Sequence, residues 1–146
     1  MIHMKAVQIH NGYFLVFDRG EEFFSTLSAF CNDNDVHWAT FSGIGAVQDV
    51  EIGYYDLPNR QYVFRSEVGP FEVSNMDGNV AEFNETPLIH VHGVLSRCDE
   101  TLECLGGHLR RAVVAVTLEV CMWEVTQPLM REYDEDTGLN LIGVSV

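Results

Sequence analysis

Along most of this 146-residue chain apolar and polar residues alternate with a period of two, the pattern of strands that show one face to a core. Lys5 to Ile9 and Tyr13 to Phe17 are predicted strands, joined at Asn11-Gly12, a strong two-residue hairpin signal. One stretch changes period. Phe23, Leu27, Phe30 and Cys31 recur at helical spacing and predict an amphipathic helix. Asp18 or Gly20 is expected to cap it, with Glu21 and Glu22 near its positive end and Asn32-Asp33-Asn34-Asp35 stopping it.

Thereafter the pattern is β. Val36 to Ser42 leads into a Gly43-Ile44-Gly45-Ala46 corner, and Val47 to Asp56 continues from it. Leu57-Pro58-Asn59-Arg60 is a turn, Gln61 to Val68 a strand and Gly69-Pro70 a break. Phe71 to Met76 is expected to reach a hairpin turn at Asp77-Gly78. Leu88 to Leu95 follows, and then Ala112 to Val125, apolar enough to suggest burial on both faces. Leu129 to Tyr133 and Leu139 to Val144 close the chain around the acidic turn Asp134 to Gly138.

Composition narrows the classes. Nothing rich in Pro, Ser or Gly separates halves, so one domain over residues 1–146 is expected, large enough for a core of its own. The net charge of −14, from 22 acids against 8 Lys and Arg, repels phosphate backbones and argues against a broad nucleic-acid footprint. Arg110-Arg111 is the one adjacent basic pair. Cys31, Cys98, Cys104 and Cys121 make no C-x-x-C pair and read as reduced thiols, although Cys98 and Cys104 flank one loop. Met1 to His10 lacks a signal-peptide pattern, and no apolar run approaches a membrane span. A cytoplasmic protein is expected.

The chemistry concentrates at His90-Val91-His92 and Gly106-Gly107-His108. Residues two apart on a strand share a face, so His90 and His92 project side by side. Strand histidines are also common as polar residues on a half-solvated face. Here Leu88, Ile89, Val91, Val94 and Leu95 surround them and suggest a strand in the core, where paired imidazoles need partners. If a glycine turn returns His108, three neutral nitrogens can bind a divalent ion, zinc foremost, with one position left open as in catalytic sites. His3, His10 and His37 share no spacing with this trio.

Glu119, set in an apolar strand, and Glu67 are candidate acid/base groups; each can equally pair with an arginine. Arg19 can clamp a substrate carboxylate or satisfy Asp18 or Glu22. Gly43-Ile44-Gly45 suits either a close ligand or a β-corner. No Walker motif, G-x-G-x-x-G or nucleophile elbow is present, and Ser96 lies in no serine-hydrolase pattern.

The ordered set Asp18-Arg19-Gly20-Glu21-Glu22, Ser42 to Val47, Gly69 to Val73, His90 to Ser96 and Gly106-Gly107-His108-Leu109 resembles the PPC (plant and prokaryote conserved) domain. The likeness runs from the first strand to about Glu124. It implies an α+β fold, a mostly antiparallel barrel-like sheet with one main helix packed on it, and a homotrimer. Plant members join the domain to AT-hooks, whereas prokaryotic ones usually stand alone and often carry a DNA-binding label. This chain has no Arg-Gly-Arg-Pro hook, and Gly69 to Ser74 replaces the Gly-Arg-Phe-Glu-Ile-Leu stretch that plant members use for partner contacts. With the charge of −14, direct DNA binding is disfavoured.

The same fold group is similar to acetolactate decarboxylase, whose zinc is held by an H-x-H pair and a later histidine, positions matched by His90, His92 and His108. That likeness implies a zinc site, its open position polarising a carbonyl or activating water with Arg19 or Glu119 assisting. The expectation is thus a metal-containing, homotrimeric PPC protein with a regulatory or small-molecule-binding role. A zinc-dependent enzyme acting on a small carbonyl or ester is the alternative.

Overall fold

The computed structural model describes residues 4–143. His3 and Val144, each named above, lie outside them. Its elements run β1 (Lys5–Ile9), β2 (Gly12–Asp18), α1 (Phe23–Asp33), β3 (Ala39–Asp56), β4 (Gln61–Glu67), β5 (Phe71–Phe83), β6 (Thr86–Arg97), β7 (Cys104–Glu124), β8 (Met130–Asp134) and β9 (Leu139–Gly143). Among the described residues, one helix against nine strands makes this the α+β class expected.

The pairing is antiparallel except for the parallel contact of β5 with β8. β3 pairs with β5 and β7, and β6 pairs with the same two strands, so these four close a ring. Ring closure removes sheet edges and gives each strand an inside and an outside. The β1–β2 hairpin extends the sheet from β7, β4 lies along the second half of β3, and the β8–β9 hairpin hangs from β5.

Phe41, Phe71, Leu95, Leu109, Leu118 and Met122 fill the core, and α1 packs against β6 and β7. Its buried residues are Phe23, Leu27, Phe30 and Cys31, the four that the 3.6-residue spacing picks out. Phe23 lies 5.2 Å from the Phe17 ring and 6.0 Å from that of Phe41. Burying one such side chain is worth about 1.5–3 kcal/mol.

Several local expectations are corrected. The helix cap is Glu22, not Asp18 or Gly20: its carboxylate accepts from the Phe24 and Ser25 amides. Asp18 is engaged by Lys5 instead. The first hairpin turns at His10-Asn11, one residue early, with Asn11 at φ 62°. No hairpin forms at Asp77-Gly78, because β5 runs straight through and turns at Asn84-Glu85, both at positive φ. Gly78 serves close packing: a Cβ there would collide with the Phe41 ring and the His90 carbonyl. The predicted strand at Val36 begins only at Ala39, and a bulge between Gly43 and Gly45 accounts for the expected corner. β7 is buried on one face only, with Val114, Leu118, Val120 and Met122 inside and Val116 and Trp123 exposed.

Candidate metal centre

The site begins with the pleat of β6. Val91 and Leu95 are fully buried in the ring, so His90 and His92 project from its outer side. This corrects the expectation that they flank the core. Their Nε2 atoms lie 3.2 Å apart. His108 arrives from β7, directly opposite His92 in the β6–β7 register. Gly106 and Gly107 do not form the turn expected to return it. They lie inside β7, opposite Val94 and Gly93, and the reversal falls at residues 98–103. Gly107 instead lets β7 approach β3, since a Cβ there would stand 2.5 Å from the Gly53 carbonyl oxygen.

All three histidines thus converge through register, with ligand nitrogens within 4.8 Å of one another. Tetrahedral zinc with Zn–N bonds near 2.0–2.1 Å requires nitrogens about 3.3–3.4 Å apart, which the His90–His92 pair already meets closely. Neutral imidazole is the state a metal needs. Burial pushes His108 down to about 4, helped by His90 and His92 and then by Arg131. The same causes, burial first and then His92 and Arg131, lower His90. Imidazole nitrogens suit a borderline divalent cation, and three ligands leave a coordination position for another molecule.

Two spaces adjoin the trio. One, about 320 Å³, is lined by all three histidines with Tyr54, Tyr55 and Tyr62. The other, about 290 Å³, is lined by His90, His108, Tyr62, Leu88, Ile89, Leu139, Leu141 and Arg131. The Tyr62 ring packs 4.7 Å from that of His108. Asp77 lies opposite His92 in the β5–β6 register and lines a shallow depression with His90 and His92.

Arg19 and Glu119 stand apart from the histidines. Arg19 is exposed in the β2–α1 loop, where the neighbouring Gly20 amide donates to the Val114 carbonyl. Glu119 sits eleven residues beyond His108 on β7, in an outward hollow with Phe14, Ile44, Cys121 and Trp123. Glu67 pairs with Arg65 and Arg97. The four cysteines are unpaired. Sequence reasoning missed Arg131, Tyr62 and Asp77. The first two come from separate hairpins without spacing to the histidines; Asp77 was hidden by its assignment to a turn.

Residues 4–126 match the model of the Plants and Prokaryotes Conserved (PCC) domain. No curated protein is significantly similar in sequence. Among solved structures, a metal-containing protein from Archaeoglobus fulgidus is 30% identical, with 99% of each chain covered and a TM-score of 0.82. A protein from Ralstonia eutropha JMP134, described as a "putative DNA-binding protein", is 28% identical over 97% of this chain and 96% of its own, with a TM-score of 0.88. One from Bacteroides thetaiotaomicron with the same description is 25% identical over 96% of each chain, with a TM-score of 0.90.

Proposed function

The chain belongs to the Plants and Prokaryotes Conserved domain family, and we propose that it holds a divalent metal, zinc foremost, on His90, His92 and His108 and uses it to bind a small molecule. The carrying observation is the convergence of three imidazoles from two paired strands onto one point, beside open cavities. The metal-containing relative from Archaeoglobus supports the reading. When bound, the ion supplies a Lewis-acidic open position. The chain's own groups shape what reaches it: Tyr62 packs on His108, and Arg131 closes the wall beyond.

Direct DNA binding is disfavoured although two relatives carry that description. Of the 8 Lys and Arg, Lys5, Arg65, Arg97 and Arg110 already face carboxylates of this chain, in a protein of net charge −14. A phosphate backbone needs a basic face to displace its counterions. We propose one domain over residues 1–146, assembled as a homotrimer. The exposed apolar residues Phe14, Ile44, Val116 and Trp123 on the outer face of β2, β3 and β7 support association.

Asp77 gives a second reading some footing, a metal-dependent enzyme acting on a small carbonyl or ester, because it places a carboxylate beside His92. Elemental analysis of protein purified without a histidine tag tests the main reading. One equivalent of zinc per chain is expected, and none in His92→Ala; full metal in that variant sinks it. Turnover lost in Asp77→Asn with metal retained would favour the enzyme.

A further inference from the structure

Arg131 occupies the second position of β8, opposite Ile142 of β9, and its side chain reaches the wall of the 290 Å³ cavity that His90 and His108 also line. Its guanidinium is held by neutral groups alone. One terminal nitrogen donates to the Asn140 carbonyl at 2.9 Å, and the other to Asn79 Oδ1 at 3.0 Å. Its Nε–H is buried and has no acceptor among the described residues. No carboxylate among the described residues forms an ion pair with it, whereas Lys5, Arg65, Arg97 and Arg110 each have one.

Arg19, Arg60 and Arg111 also lack an ion pair among the described residues, but all three are exposed, whereas Arg131 is half-buried. A half-buried guanidinium without a counter-charge is costly, and neutral hydrogen-bond partners do not supply that charge. A metal on the histidines would place further positive charge on the same cavity. That cavity has no acidic residue in its lining, and its walls between the polar groups are Leu88, Ile89, Leu139 and Leu141. Both charged ends therefore favour an anion, and the middle favours an apolar body. The volume falls just below the range of about 300–1,000 Å³ for small-molecule sites, which suits a small ligand.

We propose that Arg131 is the anion-recognition residue of this site, and that the ligand is a small molecule whose carboxylate or phosphoryl group pairs with its guanidinium while its other end faces the histidines. Guanidinium presents planar paired donors that suit either oxyanion. Asn79 and Asn140 position the group without neutralising it. This deepens the metal-site reading and rests on it for the histidine end of the ligand, but the anion end depends on Arg131 alone.

The test is a chemical-shift titration of zinc-treated protein with the straight-chain acids from acetate to hexanoate, with the matching neutral amides, and with inorganic phosphate. Zinc content is measured on every sample. Wild type should bind at least one of these oxyanions, and a bound acid at least about tenfold more tightly than its amide, the scale of a charge-assisted hydrogen bond. Arg131→Gln should lose that preference with its zinc content unchanged. Arg131→Lys, which keeps the charge and guards against a folding defect in the first variant, should retain part of it. The acid and phosphate arms tell which oxyanion is preferred. Equal binding of acid and amide, undiminished acid or phosphate binding by Arg131→Gln, or no oxyanion binding by wild type would overturn the proposal. Absence of zinc would instead count against the metal reading, and the same titrations on that protein would still decide the role of Arg131.

Discussion

His92 and His108 face each other as directly opposed residues of β6 and β7, so the third ligand is delivered by sheet register and not by a turn. Register is strongly fixed where one face is buried, since a one-residue slip would turn Val91 and Leu109 out of the core. The same packing that builds the ring therefore holds the site.

It follows that exchanging a histidine should cost the metal and little else. His92 is exposed, so His92→Ala should change stability by no more than about 0.5 kcal/mol. Its zinc affinity should fall by more than the roughly 10–100-fold that losing an outer-sphere partner costs. Competition with a chelator, alongside a thermal melt, checks both halves.

Gly107→Ala should damage the site from behind. The added Cβ meets the Gly53 carbonyl oxygen and forces β7 away from β3 next to His108. A loss of about 1–3 kcal/mol in urea denaturation is expected, together with weaker metal binding. Unchanged stability would show that β7 reaches β3 by some other contact.

The histidines also set a pH dependence. Folded His108 titrates at about 4 against an ordinary 6.5, and His90 shifts in the same direction. Between those values the unfolded chain binds more protons than the folded one, so stability rises with pH. The metal-free protein should hold this contribution in full above pH 6.5 and lose it as pH falls from 6.5 towards 4. Denaturation at pH 7.5, 6 and 5 should show the decline, and the His108 ring signal should titrate well below 6.5.

The helix start offers a test independent of metal. Glu22 accepts from the Phe24 and Ser25 amides and also from the Ala112 amide of β7. Glu22→Ala should cost about 0.5–2 kcal/mol in denaturation, and Asp18→Ala less.

Much of this was legible in the sequence because the relevant signals were local. The period of Phe23, Leu27, Phe30 and Cys31 marked the helix and its buried face, and two-residue alternation put His90 and His92 on one side of a strand. Which side was not legible, because Leu88 and Val94, which alternation places on the histidines' own face, are apolar as well. Glycine was the main source of error. Gly78 and Gly107 were taken as turn residues, yet both sit within long strands where another backbone or ring comes too close for a side chain. Mistaking Gly78 for a turn cut β5 short and hid Asp77 beside His92. Arg131 was out of reach for another reason. It is brought to the histidines only by a hairpin anchored on β5, and no short-range spacing encodes that contact.

The most direct measurement is zinc X-ray absorption on protein purified without a tag. Three imidazole nitrogens at about 2.0–2.1 Å with one further light atom, and loss of that signature in His108→Ala, is the result the three-histidine centre predicts. A sulfur shell near 2.3 Å, pointing to Cys98 or Cys104, or protein that carries no metal after exposure to zinc, would contradict it.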